Sequence, residues 1–147
     1  MRIWFHQNID VAQLAPMGKN TLGEHLGMQF VEIGDDYLIA SMPVDSRTHQ
    51  PYGILHGGAS VALAETVGSI AAALVVDHEK FLCVGLDINA NHVKSVRSGT
   101  VFAKATPLHL GASTHVWDIK ITNEQGSLVC ISRLTVSILQ RKGKTIS

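Results

Sequence analysis

Two hydrophobic periods divide this chain. From Leu82 onward the even positions Val84, Leu86, Ile88 and Ala90 are apolar, and Asp87, Asn89 and Asn91 between them are polar. Alternation of period two predicts a strand with one buried face. Ser98-Gly99, Gly111-Ala112 and Asn123-Glu-Gln-Gly126 are turn sequences that set off three further runs over 100–110, 113–122 and 128–139. Long strands joined by short turns predict antiparallel neighbours, here a four-strand meander. Residues 57–76 show no period two: the run is alanine-rich, free of proline and apolar on every side, which predicts a long buried helix. Ahead of it, 28–33 and 37–42 flank Gly34-Asp-Asp36 and read as a hairpin. Asn8 or Asp10 can cap a short helix over 11–14, and Thr21 with Glu24 has capping-box spacing. The whole predicts one α+β domain over 1–147, with a helical segment in 1–25, six strands, and a frayed tail over 140–147. One sheet face must cover the helix, because nothing else in the chain can.

Composition narrows the function classes. Twelve Lys and Arg against twelve Asp and Glu give zero formal charge, which argues against a nucleic-acid or anionic-membrane partner. Zero charge with 46% hydrophobic residues points instead to surface buried in an oligomer. Cys83 and Cys130, in separate predicted strands, read as reduced thiols of a cytoplasmic protein. The opening Met-Arg-Ile-Trp-Phe-His-Gln-Asn has no apolar stretch of secretory-signal length. Helix 57–76 is long enough to span a bilayer, but its central Glu65 and the alternating strands around it favour a core helix. The eight histidines include no His-Glu-x-x-His and no i, i+4 pair on a predicted helix, so no metal site is expected.

Candidate chemistry lies on the helix. Glu65 is the only charged residue between His56 and Asp77, and a carboxylate among apolar neighbours is costly to desolvate. It is the first candidate for a base or nucleophile. Gly57 and Gly58 open the helix, so bare N–H groups and the positive dipole end can face a ligand oxygen. Ser69 follows Glu65 by four residues, on the same helix face. Alone, the glycines could be a tight entry turn and Ser69 a packing residue; together the three suggest acyl transfer with an oxyanion donor. Gly57 and Glu65 are separated by about 12 Å of helix rise, too far to serve one carbonyl within one subunit. A substrate shared between them requires a two-fold dimer with composite sites.

The run His56-Gly57-Gly58-Ala59-Ser60-Val61-Ala62-Leu63-Ala64-Glu65, with Gln50 and Pro51-Tyr-Gly-Ile-Leu55 before it, resembles the hotdog-fold acyl-CoA thioesterases. The use of Glu places the likeness in the branch that includes one type of 4-hydroxybenzoyl-CoA thioesterase. It is similar to the 1,4-dihydroxy-2-naphthoyl-CoA thioesterases of menaquinone synthesis and to the enterobactin-pathway proofreading thioesterase. Val84-Gly-Leu-Asp-Ile-Asn-Ala-Asn-His92, Pro107-Leu-His-Leu-Gly111 and Ser132-Arg-Leu-Thr135 carry it through the strands.

The resemblance implies a hotdog fold, a long central helix wrapped by a six-stranded antiparallel sheet, and hydrolysis of an acyl-CoA or acyl-carrier thioester. Glu65 would be nucleophile or general base beside Ser69, with Gln50, His56 and the Gly57 amide of the facing subunit polarising the carbonyl. Coenzyme A, part of the substrate and not a cofactor, would lie over Gly85, over His92, Val93, Lys94 and Ser95, and over His109, Leu110, Gly111, Ala112, Ser113 and Thr114. Lys94 and Arg97 are available for phosphates. A homodimer paired into a homotetramer is implied. An acyl group at Glu65 is expected against Thr66, Val67, Gly68 and Ser69, where Gly68 would leave room for a flat aromatic ring. The alternatives are a hotdog dehydratase or hydratase, which places Pro-Gly where this chain has Gly57-Gly58, and a non-catalytic acyl-CoA or acyl-carrier binding module, which would not need Glu65.

Overall fold

A computed structural model describes residues 1–143. A 3-10 helix, Val11–Gly18, and a short α1, Leu22–His25, precede β1 (Gln29–Ile33) and β2 (Leu38–Pro43). The long α2 (Gly57–Val75) follows, then β3 (Phe81–His92), β4 (Thr100–Leu110), β5 (Thr114–Thr122) and β6 (Leu128–Gln140). Asp10 caps the 3-10 helix in a reciprocal box with Gln13. The box expected at Thr21 does not form: the Thr21 hydroxyl donates to the Gly18 carbonyl, and the Glu24 carboxylate accepts from the Asn20 N–H. The tail also begins later than expected, since Gln140 pairs with Phe81 in the β3–β6 ladder. Residues 144–147 of the expected tail lie outside the described residues.

All six strands join one antiparallel sheet in the order β1-β2-β4-β5-β6-β3. The meander expectation holds for β4, β5 and β6 and fails for β3, which pairs with β6 at the far edge. Segment 93–99 carries the chain across from β3 to β4 and is tied to the stretch before α2. The Leu55 N–H donates to the Val96 carbonyl at 2.7 Å, and the Val44 N–H to the Gly99 carbonyl at 2.8 Å. This crossover lets β2 claim β4, so that the sheet curls around α2.

The helix is not buried on every side. Ala59, Ser60, Leu63, Ala64, Val67, Gly68, Ala71 and Ala72 are its buried residues, a stripe of period near four laid on the inner face of the sheet. Small residues allow close approach: a β-carbon at Gly68 would stand 2.7 Å from Leu134 Cδ2 and 3.0 Å from Ile119 Cδ1. The opposite face, including Val61, Ala62, Glu65 and Ser69, is only partly covered. Strand β3 departs from its even-odd pattern for a local reason. A bulge between Gly85 and Asp87 shifts the register, so Leu82, Val84 and Leu86 face outward while Ile88 and Ala90 pack against the core. Cys83 lies opposite Ile138 and Cys130 opposite His92, roughly 30 Å apart along the strand direction, beyond any disulfide.

Candidate active site

The entry to α2 is held by its own side chains. His56 Nδ1 accepts the Gly58 N–H at 2.7 Å, capping the helix. A nitrogen that accepts leaves the ring proton on Nε2, so the neutral imidazole presents a donor on its exposed side. The Ala59 and Ser60 N–H groups bond to the His56 carbonyl. The Gly57 N–H has no acceptor among the described residues and lies at the positive end of the helix. Gln50 is oriented in the same sense: its side-chain carbonyl accepts the Tyr52 N–H, which leaves the amide NH2 free to donate. Three free donors therefore come from one short stretch of chain. Gln50 and Gly57 line a cleft of about 390 Å3 together with His92, Val93, Lys94 and Ser95. His92 Nε2 stands 2.9 Å from where a β-carbon of residue 57 would be, so only glycine fits beneath that ring as it lies.

Glu65 belongs to a different cleft, of about 520 Å3, with Gly58, Val61, Ala62 and Ser69. Far from being fully buried, it is partly exposed in the single chain. Its carboxylate rests on the β3 backbone, where Oε1 occupies the space that a β-carbon of Gly85 would take. Gly85, expected over coenzyme A, is the seat of Glu65, beside the β3 bulge. A signal for this role was present in the sequence, since glycine inside a strand marks a bulge or a close approach. The expected ring site at Val67 and Gly68 is overturned: both are buried against the sheet, and Gly68 faces Leu134 and Ile119.

The strand residues expected to hold coenzyme A fall into two groups. His92 to Ser95 lie with Gln50 and Gly57. Leu110 pairs with His115, His115 with Val136, and Val136 with Gly85, which places the His109-to-Thr114 turn at the Glu65 end of the sheet. The groups are separated by roughly 20 Å along the strands, and one subunit does not bring them together. Within that turn the Gly111 N–H donates to the Thr114 carbonyl, and Ala112 and Ser113 are exposed. His115, two residues from Ser113, is buried with an unpartnered Nδ1 and packs edge-on against Trp117. Burial first, then the nearby His109, lowers its pKa from the ordinary imidazole value. Among the described residues no three His, Cys, Asp or Glu side chains converge as a metal site would require.

Residues 52–130 match the thioesterase superfamily. The chain is 52% identical over 137 residues to the 1,4-dihydroxy-2-naphthoyl-CoA hydrolase of Escherichia coli, covering 93% of this chain and 99% of that one. It is 46% identical over 134 residues to the proofreading thioesterase EntH of Cronobacter turicensis, covering 91% and 96%. Among solved structures, a glutamine-to-alanine variant of thioesterase PA1618 from Pseudomonas aeruginosa superposes with a TM-score of 0.92 at 50% identity, covering 95% of this chain and 99% of that one. Thioesterase HI1161 from Haemophilus influenzae gives 0.91 at 46% identity, covering 97% and 99%. This chain belongs to the thioesterase superfamily, with the hotdog fold that a long helix inside a six-stranded antiparallel sheet defines. It is a thioester hydrolase, and the dehydratase and binding-module alternatives give way to that assignment.

Proposed function

We propose that this protein hydrolyses aryl-CoA thioesters at composite sites, with Glu65 from one subunit and Gln50, His56 and Gly57 from its two-fold mate. The observation that carries this reading is the division of the site. Gln50 and Gly57 open into one cleft and Glu65 into another, and Gly57 and Glu65 stand on one uninterrupted helix. About 12 Å of rise separates Gly57 from Glu65, whereas a reacting carbonyl needs both partners within about 3 Å. The partial covering of the Glu65 face of α2 leaves room for the mate. Strand β3 is a sheet edge whose outer face carries Leu82, Val84 and Leu86, 40%, 45% and 69% exposed, a surface suited to pairing with a second copy.

In the composite site the free Gln50 amide, the His56 Nε2–H and the Gly57 N–H polarise the thioester carbonyl and hold the oxyanion. Glu65 attacks that carbon or takes a proton from the water that does. Collapse of the tetrahedral intermediate breaks the C–S bond. On the water route the departing thiolate takes back the proton held by Glu65. On the direct route water then hydrolyses the acyl anhydride on Glu65, freeing the acid, restoring the carboxylate and supplying the thiol proton. The aryl preference is supported by the relative from Escherichia coli, a naphthoyl-CoA hydrolase. The test is a panel of benzoyl-, hydroxybenzoyl-, dihydroxynaphthoyl- and palmitoyl-CoA, read by released thiol, with Glu65→Gln as the control. Turnover should favour the aryl substrates and fall about 100-fold or more in Glu65→Gln, which keeps the packing and removes the base. Near-normal kcat in Glu65→Gln would sink the assigned role, and preference for palmitoyl-CoA would sink the aryl assignment.

A further inference from the structure

The second glycine of the helix entry has no reason in its own backbone. Gly58 stands in the first turn of α2 and is not among the glycines with positive φ, so its conformation is open to any residue. Alanine favours a helix over glycine and also lowers the entropy of the unfolded chain. The position is exposed, so no packing against the sheet demands the smaller residue. What stands in the way is the ring of His56. A β-carbon at Gly58 would lie 2.9 Å from both Nδ1 and Cε1 of that imidazole, well inside the ~3.5 Å at which such atoms touch. Among the described residues, no other side chain outside the adjoining positions comes within 4 Å of that point.

The same ring makes the capping bond. His56 has extended backbone and folds its side chain back over the first turn, where Nδ1 accepts the Gly58 N–H at 2.7 Å. That bond keeps the ring proton on Nε2 and turns the Nε2–H away from the helix. We infer that Gly58 is a positioning residue: its missing side chain lets the His56 imidazole lie against the helix entry with Nε2–H presented to the substrate carbonyl. The inference rests on His56 being an oxyanion donor, as proposed above. Gly58 also lines the Glu65 cleft, so an added methyl group has a second way to act, by narrowing that cleft. The test separates the two.

It is a double-mutant cycle on kcat with hydroxybenzoyl-CoA, in which Gly58→Ala is made in the wild-type protein and in His56→Ala. In wild type the methyl group displaces the ring. Since a misplacement of about 1 Å costs on the order of 100-fold, kcat should fall about tenfold or more. KM should change little, because the donor acts on the developing oxyanion. The lost cap bond and the gained helix preference oppose each other, so the melting temperature should stay close to wild type. In His56→Ala the same substitution should change kcat less than about twofold, because the ring it displaces is gone. A second measurement needs no turnover. Wild-type protein should show NMR scalar coupling across the N–H···N bond from the residue 58 amide to His56 Nδ1, and Gly58→Ala should lose it. Unchanged kcat in Gly58→Ala, an equal fall in both backgrounds, or a coupling that is absent from wild type or survives the substitution overturns the positioning role alone. Wild-type kcat in His56→Ala overturns the parent reading instead, so the two failures are told apart.

Discussion

Gly85 and Glu65 show how one missing side chain can seat a carboxylate. The Glu65 carboxylate lies where a Gly85 side chain would begin, so Gly85→Ala must displace it while adding one methyl group at a position outside the core of the single chain. A displacement of about 1 Å in a reacting group can cost on the order of 100-fold in rate. We expect kcat to fall by about that factor with the melting temperature nearly unchanged; wild-type kcat in a folded Gly85→Ala sample would refute the seating. His115 sets a second expectation at this scale. Burial lowers its pKa, so as pH falls through about 6.5 the unfolded chain takes up a proton that the folded protein resists. Stability therefore falls from pH 7 toward pH 5. Asp45, held down to about 2 by Arg47, contributes to this only below its unfolded value of 3.8. Replacing His115 with Phe should flatten the dependence of the urea midpoint between pH 7 and 5; an equal slope in both proteins would assign the loss to other groups.

At the scale of elements, α2 is legible in its apolar run and misread in its burial. Periodicity cannot show which side of an all-apolar helix meets the sheet, since alanine and valine suit either side. The sheet decides, through Leu134 and Ile119 closing over Gly68. Both side chains are fully buried and cannot yield freely, so Gly68→Val should cost about 1–3 kcal/mol by overpacking. For a chain of this size that lowers the melting temperature by roughly 3–10 °C. A melting curve coincident with wild type would show that the helix has room there. Strand β3 teaches the converse: its alternation was read correctly as a strand, but the extra residue at the bulge reverses the facing of Leu82 and Val84 relative to Ile88 and Ala90.

For the whole molecule, the separation of donors and carboxylate is testable by mixing inactive halves. Gly57→Pro removes one free donor at a position where the helix tolerates proline, and His56 before it already has extended backbone, φ −69° and ψ 129°. The neighbouring His92 is exposed and can move aside. Glu65→Ala removes the carboxylate. If subunits exchange at random, heterodimers regain one intact site in two, and about a quarter of wild-type activity should return. No recovery after proven exchange, or a monomer by sedimentation, would defeat the composite site.

Glu65 and the Gly57-Gly58 entry stood out in the sequence because their signals are local, a lone charge in an apolar run and glycines at a helix start, whereas Gln50 and His56 entered only through the family resemblance. Strand positions followed from period two for the same reason. Which strands became neighbours, which face of α2 stayed open, and which residues walled the space beside Glu65 were decided only by the tertiary structure. β3 joined β6 because segment 93–99 crosses the sheet, tied by hydrogen bonds to residues about forty to fifty-five positions earlier. A cavity under Met17, Leu22, Met28 and Phe30 exists because the N-terminal segment folds over α2 from far along the chain. Contacts between residues distant in sequence leave no period behind them, and those contacts determine which clefts the fold leaves open beside Glu65.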